Sequence, residues 1–193
     1  MSAIALPQSA QPAISPLTPA DLLAMPDAKG FELVDGKLVE RHASVESSRV
    51  ASRINRLLGN EAERTGHATV YANDLGYQCF PHRPNQIRKP DVSLIRKDRY
   101  NWASEADSGY MPIAADLAVE VISPNDLYYE VAAKVAEYLE AGFGAVWIVD
   151  PRLKTVRVES ADGASVLFRE NDEITGGSFL PGFRCRVAEF FRT

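Results

Sequence analysis

The chain has 193 residues, of which 46% are hydrophobic and 24% are charged, a composition typical of one globular domain with a substantial core. Its 21 basic and 26 acidic residues give a net charge of −5 at pH 7, which excludes a generic electrostatic attraction to nucleic acid. Any binding to nucleic acid must therefore use a local basic patch or metal ions.

Two further classes of protein are excluded by what the sequence lacks. The cysteines, Cys79 and Cys185, form no Cys-x-x-Cys pair, and the histidines are isolated at His42, His67 and His82, so no zinc-binding spacing exists. No run of about 18 apolar residues is present, which excludes a transmembrane helix.

Residues 1–17 form a tail rich in proline, alanine, serine and glutamine, which we expect to be mobile. The tail lacks a positively charged start and is interrupted by prolines, so it does not have the pattern of a secretory signal. We therefore expect a cytoplasmic protein with a single domain over residues 18–193.

The first predicted elements are a short helix, a hairpin and a long helix. Thr18 is suited to cap a helix that has Pro19 at its first position. In "FELVDGKLVE" two apolar-alternating runs flank Asp35-Gly36, a dipeptide suited to a tight turn with positive φ. In "SVESSRVASRINRLLGNEAERTG" apolar residues recur at helical spacing, and Gly66 fits the end of that helix.

Strands dominate the rest of the chain. The segments "ATVYAN", "GYQCF", "PDVSLI" and "DLAVEVI" are predicted strands, and the long polar connection over residues 96–115 is the segment we expect to be most flexible. A second helix is expected from about Leu127 to Ala141, followed by the buried strand "GAVWIVD", a hairpin around Asp162-Gly163, and a short strand with a terminal helical turn. This order predicts a mixed α/β (α+β) fold, a central sheet flanked by helices.

One residue interrupts the predicted strand "DLAVEVI". Its apolar residues indicate burial on both faces, yet Glu120 lies among them. A buried carboxylate is costly unless a proton, a cation or a set of donors compensates it. Glu120 is therefore the first candidate for a functional site.

Asp91 is the second candidate, at the start of the strand "PDVSLI". Alternation along that strand puts Asp91, Ser93 and Ile95 on one face. If this strand pairs with the strand of Glu120 with those faces aligned, the two carboxylates meet and repel each other unless a cation lies between them. Two carboxylates supply only oxygen ligands, and such a set is suited to Mg²⁺ or Mn²⁺.

A basic residue on the second helix completes the pattern. At about 100° per residue, Val131, Val135 and Tyr138 fall on the apolar face and Lys134 at its edge. The helix begins shortly after the strand of Glu120, so Lys134 could reach the carboxylate pair. There it would steer or help to deprotonate a water and stabilise negative charge on a phosphorane-like transition state.

Several blocks of the sequence match a known family. The segments "KPDVSLI", "DLAVEVISPND" and "KVAEYLEAGFGAVWIVDP", with the opening "LTPADLLAMPDAKGFELVDGKLVE", resemble the Uma-two family of endonucleases in the PD-(D/E)XK restriction-endonuclease-like superfamily. The resemblance covers roughly residues 17 to 190. It implies a restriction-endonuclease-like fold, Mg²⁺-dependent hydrolysis of phosphodiester bonds, DNA as the substrate and a homodimer.

The resemblance also implies roles for individual residues. The lysine of the superfamily motif should stand two residues after Glu120, where this chain has Ile122, so the resemblance implies that the lysine has moved to Lys134. The backbone carbonyl of Val121 would be a further metal ligand. Many superfamily members carry an acid on the first helix, for which Glu46 is the candidate and Glu32 in the hairpin the second.

Structural interpretations of the same residues remain open. Asp91 would cap a turn, Glu120 would pair with a basic residue, and Lys134 would be the i,i+4 partner of Glu130. The basic residues that would pair with Glu120 are Arg88, Lys89 and Arg96. Tyr138 is expected in the core with its hydroxyl at the edge of the site.

Alternative functions also remain open. The segment "HRPNQIRK" is either a solvated loop or a contact to a phosphate backbone. The chain could be a nuclease-fold module that binds nucleic acid or protein with weak or no hydrolysis, which the acidic charge and Ile122 favour. A carboxylate-pair glycosidase fits less well, because acids on adjacent strands are too close for an inverting mechanism.

Overall fold

The computed structural model describes residues 15–100 and 109–192. In these ranges the α-helices are α1 (Pro19–Ala24), α2 (Val45–Thr65), α3 (Tyr128–Glu140) and α4 (Ala188–Phe191). The strands are β1 (Phe31–Val34), β2 (Lys37–Glu40), β3 (Ala68–Ala72), β4 (Val92–Arg96), β5 (Leu117–Val121), β6 (Ala145–Asp150), β7 (Thr155–Ser160), β8 (Ser165–Arg169), β9 (Glu173–Gly176) and β10 (Leu180–Arg186).

Six strands form the central sheet in the order β3-β4-β5-β6-β7-β8. Only β5 and β6 run parallel, joined by the crossover helix α3, and the other neighbours are antiparallel. The sheet is therefore mixed, and the predicted α+β architecture with a central sheet flanked by helices is confirmed.

The helices α2 and α3 cover opposite faces of this sheet. On one face α2 packs against apolar side chains of β4 and β5, such as Val92 and Val119. On the other face α3 packs its Val135 and Tyr138 against Ala118 and against neighbours from β4 and β6. Because neighbouring side chains alternate between faces, Glu120 lies on the face that α3 covers.

Local sequence signals explain where the helices begin and end. Thr18 and Asp21 form a reciprocal capping box at α1, and Ser44 caps α2 together with Ser47. Gly66 ends α2 in the left-handed conformation, with φ of 66°, as glycine commonly does. Both predicted helix starts and the predicted stop are confirmed.

The β1–β2 hairpin turns at Asp35 and Gly36, whose φ angles are 48° and 77°. Its strand β1 is fixed to a distant loop, because Leu33 and Ile87 exchange two backbone hydrogen bonds of 3.0 and 2.7 Å. Leu17, assigned to the tail in the sequence analysis, donates its N–H to the Gly36 carbonyl. The hairpin is thereby docked beside the sheet.

Some predictions need correction or cannot be compared. Residues 76–80 form no strand, because Tyr77 makes only isolated bridges to Arg88 and Met111, on two different segments. The strand β9, which pairs with β10, was not predicted because its four residues, "EITG", are too short for a periodic signal. Residues 1–14 of the predicted tail and 101–108 of the predicted flexible connection lie outside the described residues.

Candidate active site

The pairing of β4 with β5 brings the two candidate acids together. The strands are antiparallel with Val92 opposite Val119, and continuing that register puts Asp91 opposite Glu120. The Asp91 carboxylate also accepts a hydrogen bond of 2.8 Å from the backbone N–H of Val121. Alternation and strand pairing therefore place both acids on the α3 face, as the sequence predicted.

Glu120 is held by two side chains of α3. The Lys134 Nζ lies 3.0 Å from each carboxylate oxygen of Glu120, and the Tyr138 hydroxyl donates to Glu120 Oε1 at 2.8 Å. Lys134 and Tyr138 are four residues apart, which places both on one side of a helix. The buried acid is thus compensated by a cation and a neutral donor from the same helix.

Glu32 joins this group from the docked hairpin. Its carboxylate accepts hydrogen bonds from the Lys89 backbone N–H at 2.7 Å and from the Arg88 guanidinium at 2.9 Å. The Lys134 Nζ lies 2.9 Å from the same carboxylate. Lys134 therefore lies between Glu32 and Glu120, two carboxylates that are 88 positions apart in the sequence.

These contacts shift the ionisation of the three central groups in different directions. Burial, opposed by Lys134 but supported by repulsion from Asp91 and Glu32, raises the pKa of Glu120 to about 7. Burial alone would raise the pKa of Glu32, but Lys134 and Arg88 outweigh it and lower that pKa to about 2. Burial opposes the charge on Lys134, but the facing carboxylates outweigh it and raise the Lys134 pKa. Lys134 is therefore a persistent cation.

A basic residue that the sequence analysis missed reaches Asp91. The Arg41 Nη2 lies 2.9 Å from Asp91 Oδ1, and its Nη1 donates to the Asn73 carbonyl at 3.0 Å. Arg41 follows directly after β2, and only the docking of the hairpin brings it to the sheet. Both oxygens of Asp91 thus have partners within the chain.

The loop "HRPNQIRK" supports the site from behind. Its Arg83, Gln86 and Arg88 all contact the carboxylate of Glu137 on α3, at distances of 2.6 to 2.9 Å. Because Arg88 also pairs with Glu32, the basic charge of this loop is largely neutralised. No pattern in the sequence predicts this network. Its contacts favour a structural role for these side chains.

The contacts also decide between the structural alternatives left open above. Glu120 pairs with none of the three basic residues considered there: Arg88 binds Glu32 and Glu137, the Lys89 ammonium binds the Ala28 carbonyl, and Arg96 pairs with Asp116. Lys134 pairs with Glu32 and Glu120, and no ion pair with Glu130 forms among the described residues. The structural alternative in which Lys134 pairs with Glu130 is therefore not observed.

Two clefts open beside these residues. The first cleft has a volume of about 350 Å³, and its lining includes Glu32, Asp91, Glu120, Val121, Lys134 and Glu137. The second cleft has a volume of about 460 Å³, lies along the start of α2 and also includes Asp91 and Val121. Glu46 is exposed and lines neither cleft, so the structure does not bring this candidate to the site.

The donor set fits a hard divalent cation. Asp91, Glu120 and Val121 line one cleft, and they offer two carboxylates and a backbone carbonyl, the oxygen ligands that Mg²⁺ and Mn²⁺ prefer. In the described part of the chain, no group of three acidic, histidine or cysteine side chains is arranged to hold a metal ion. Water would therefore complete the shell of an ion held here, as it commonly does for Mg²⁺.

Comparison with known proteins agrees with this reading of the fold. The family model "Uma2: Putative restriction endonuclease" matches residues 19–188. Among solved structures, a protein described as a putative nuclease belonging to DUF820, from Anabaena variabilis ATCC 29413, matches with a TM-score of 0.76 and 20% sequence identity. The match covers 91% of this chain and 98% of that protein, and at this identity it establishes the fold.

No curated protein matches the sequence significantly. The similarity to known proteins therefore consists of the family match and the shared fold.

No helix in the described ranges combines the length and apolarity needed to cross a membrane.

Proposed function

This chain belongs to the Uma2 family, which is described as "Putative restriction endonuclease", and we propose that it is a metal-dependent nuclease that hydrolyses phosphodiester bonds in DNA. The observation that carries the proposal is the juxtaposition of Asp91 and Glu120 in one cleft, with the Lys134 ammonium 3.0 Å from Glu120. Two carboxylates and a cation at the end of paired strands are suited to holding a metal and stabilising a phosphoryl transition state.

Asp91, Glu120 and the Val121 carbonyl would hold the ion, Mg²⁺ or Mn²⁺. When bound, such an ion lowers the pKa of a water and neutralises charge on the scissile phosphate. The raised pKa of Glu120 shows that burial and neighbouring acids destabilise its charged form. A bound cation would stabilise that charged form.

Lys134 has the role of a cation at the scissile phosphate. Its raised pKa keeps it protonated and makes it a poor general base, so its positive charge and its N–H groups would stabilise negative charge that develops on the phosphate oxygens. Glu32 and Tyr138 act as positioning residues, because Glu32 holds the Lys134 ammonium and Tyr138 holds the Glu120 carboxylate. The homodimer that the resemblance implies would carry two such sites.

Cleavage of supercoiled plasmid by the purified protein tests this proposal. We expect nicking with Mg²⁺ or Mn²⁺ and none with a chelator. Asp91→Asn and Glu120→Gln should each reduce the rate by at least about a hundredfold, the scale of losing one group that stabilises the transition state. The matched control is Glu46→Gln, which removes an exposed carboxylate outside both clefts. Full activity in both site variants would disprove the assignment.

A second function, binding without efficient hydrolysis, has specific support. Ile122 stands where the superfamily motif has lysine, and Arg41 and Lys134 already pair with the two carboxylates. Calorimetric titration with Mn²⁺ separates the two functions. Binding that is lost in Glu120→Gln favours the nuclease, whereas no binding to the unaltered protein favours the binding module.

A further inference from the structure

The two clefts adjoin at the candidate metal ligands. Arg41, His42, Asp91 and Val121 line both of them. A chain-like ligand that occupies both clefts would therefore pass Asp91 and the Arg41 guanidinium that pairs with it.

The lining of the first cleft combines acidic and apolar side chains. The apolar ones, here called the apolar wall, are Val34 and Val39 from the hairpin and Val131 and Ala133 from α3, and the acidic ones include Glu40, Asp126 and Glu130 besides the carboxylates of the site. The volume of the cleft, about 350 Å³, lies at the lower end of the range of about 300–1,000 Å³ typical of sites for small organic molecules. A phosphate held beside Asp91 and Glu120 would leave the attached sugar and base within reach of the apolar wall.

Tyr129 is an exposed aromatic residue of the first cleft. It lines the first cleft, yet 65% of its surface is exposed. An exposed aromatic ring beside an apolar wall is a stacking platform for a nucleobase, and such stacking tolerates any base because every base has a π-face.

The second cleft is polar and carries basic groups. Ser48, Ser52 and Asn55 line it at helical spacing along α2, and its charged lining residues are Lys29 and Arg41 with Asp74 and Asp91, together with His42. Hydroxyl, amide and basic side chains are the groups that contact phosphate oxygens and sugars. This cleft is therefore suited to a nucleic-acid backbone.

The charge distribution argues against an extended duplex as the occupant. The net charge is −5, and Arg83 and Arg88 in the loop nearest the site are paired with Glu137 and Glu32. Duplex binding relies mainly on many basic contacts to phosphates, whereas binding of a single strand also gains from the stacking of unpaired bases on aromatic rings. A base in the first cleft, moreover, must already have left its stack.

Building on the proposed nuclease function, we propose that the two clefts form one track for a single strand of nucleic acid. The nucleobase beside the scissile phosphate packs on Tyr129 and the apolar wall, and the adjoining backbone lies along Ser48, Ser52 and Asn55. The substrate is thus a nucleic acid with an unpaired segment, such as a single strand, a flap or an open junction.

Fluorescence anisotropy with labelled oligonucleotides tests the track without relying on activity. The probes are a short single-stranded oligodeoxythymidylate, the same oligonucleotide with abasic positions, and its duplex with oligodeoxyadenylate. Titrations contain Ca²⁺, and the length of each probe is checked afterwards on a gel. We expect the single strand to bind at least about tenfold more tightly than the duplex or the abasic probe.

The key variant is Tyr129→Ala, with Tyr128→Ala as its matched control. Tyr128 is the adjacent tyrosine, is 88% exposed and lines neither cleft. Stacking is worth about 1–3 kcal/mol per base, so Tyr129→Ala should weaken single-strand binding by roughly five- to 150-fold. Tyr129→Phe, which keeps the ring, should bind normally, and so should Tyr128→Ala.

Two results would overturn the proposed track. One is equal binding of single strand and duplex, and the other is an affinity that Tyr129→Ala does not change. In either case, plasmid nicking that requires Mg²⁺ and Asp91 would leave the nuclease function intact. Loss of the nuclease function alone would instead appear as Tyr129-dependent binding without cleavage.

Discussion

Lys134 of α3 forms an ion pair with Glu120 of the central sheet, with the Lys134 Nζ 3.0 Å from both oxygens of the Glu120 carboxylate. The same ammonium lies 2.9 Å from Glu32. One largely buried cation therefore forms ion pairs with two largely buried acids. We expect the stability of the site to depend on the charge of Lys134.

Replacing Lys134 with methionine should destabilise the fold in a pH-dependent way. Removing one partner of a buried ion pair costs about 3–5 kcal/mol, because the other charge is left unpaired. Lys134 lowers the pKa of Glu120, which burial otherwise raises, so its loss raises that pKa further. When a group has a higher pKa in the folded state than in the unfolded state, the folded protein becomes less stable as pH rises from the unfolded pKa to the folded pKa. The cost should therefore be larger above pH 7 than near the ordinary glutamate pKa of 4.5.

Urea unfolding across this pH range measures the effect of Lys134→Met. The matched control is Lys154→Met, because Lys154 forms an exposed pair with Glu170 and exposed pairs contribute only about 0–1 kcal/mol. A cost for Lys134→Met no larger than that of the control would show that Lys134 does not compensate the buried acids.

The meeting of Asp91, Glu120 and Lys134 was predictable because Glu120 and Lys134 lie on elements with a regular period and Asp91 directly precedes one. Alternation along β4 and β5 assigns both acids to one face, and helical spacing assigns Lys134 to the edge of the apolar face of α3. The only further assumption was that β4 and β5 pair, which the structure shows.

The remaining contacts of the site had no such signal. Arg41 reaches Asp91 across 50 positions, and Arg88 reaches Glu137 across 49. Both contacts depend on where the hairpin and the loop before β4 dock, and no local period encodes that docking. For the same reason Glu32 could be named only as a second candidate for the extra acid.

Glu32→Gln should reduce stability at neutral pH and remove part of the loss of stability in acid. The folded-state pKa of Glu32 is lowered from 4.5 to about 2, so its contribution is complete above the unfolded value and is lost as pH falls from about 4.5 to 2. Each pKa unit corresponds to about 1.4 kcal/mol, which gives a contribution on the order of 3 kcal/mol at pH 7.

The free energy of unfolding of the unaltered protein and of Glu32→Gln, measured by denaturant titration at several pH values, checks this prediction. The difference between them should shrink as pH falls. Glu170→Gln, which removes an exposed carboxylate paired with Lys154, should show little difference at any pH. A constant difference for Glu32→Gln would mean that its charge does not contribute to stability.

Tyr138→Phe isolates the hydroxyl that holds Glu120. The ring packs against Phe143 with a centroid distance of 4.6 Å, and that packing is retained in phenylalanine. The lost donor leaves a buried carboxylate oxygen without its 2.8 Å hydrogen bond, which costs about 1–3 kcal/mol. Thermal unfolding should show this loss, whereas Tyr128→Phe, at an exposed ring, should unfold as the unaltered protein does. An unchanged melting temperature for Tyr138→Phe would argue against the hydrogen bond.

Arg41→Ala should change metal binding and nucleic-acid binding in opposite directions. Arg41 pairs with Asp91 Oδ1 at 2.9 Å, so an ion must compete with its guanidinium. A partly exposed pair of this kind is worth about 0.2–1 kcal/mol, and its removal should tighten Mn²⁺ binding by up to about fivefold. Single-strand binding should weaken, because Arg41 lines both clefts and would contact a phosphate.

Calorimetry with Mn²⁺ and anisotropy with the single-stranded probe measure the two effects of Arg41→Ala separately. Arg49→Ala removes the same charge from the start of α2, where Arg49 donates to the Arg192 carbonyl and lines neither cleft, so it corrects for the change in net charge. Equal shifts in the two variants would show that Arg41 acts only through its overall charge, and a shift of both affinities in the same direction would contradict the predicted competition. Opposite shifts confined to Arg41→Ala would place this residue where the metal and the strand meet.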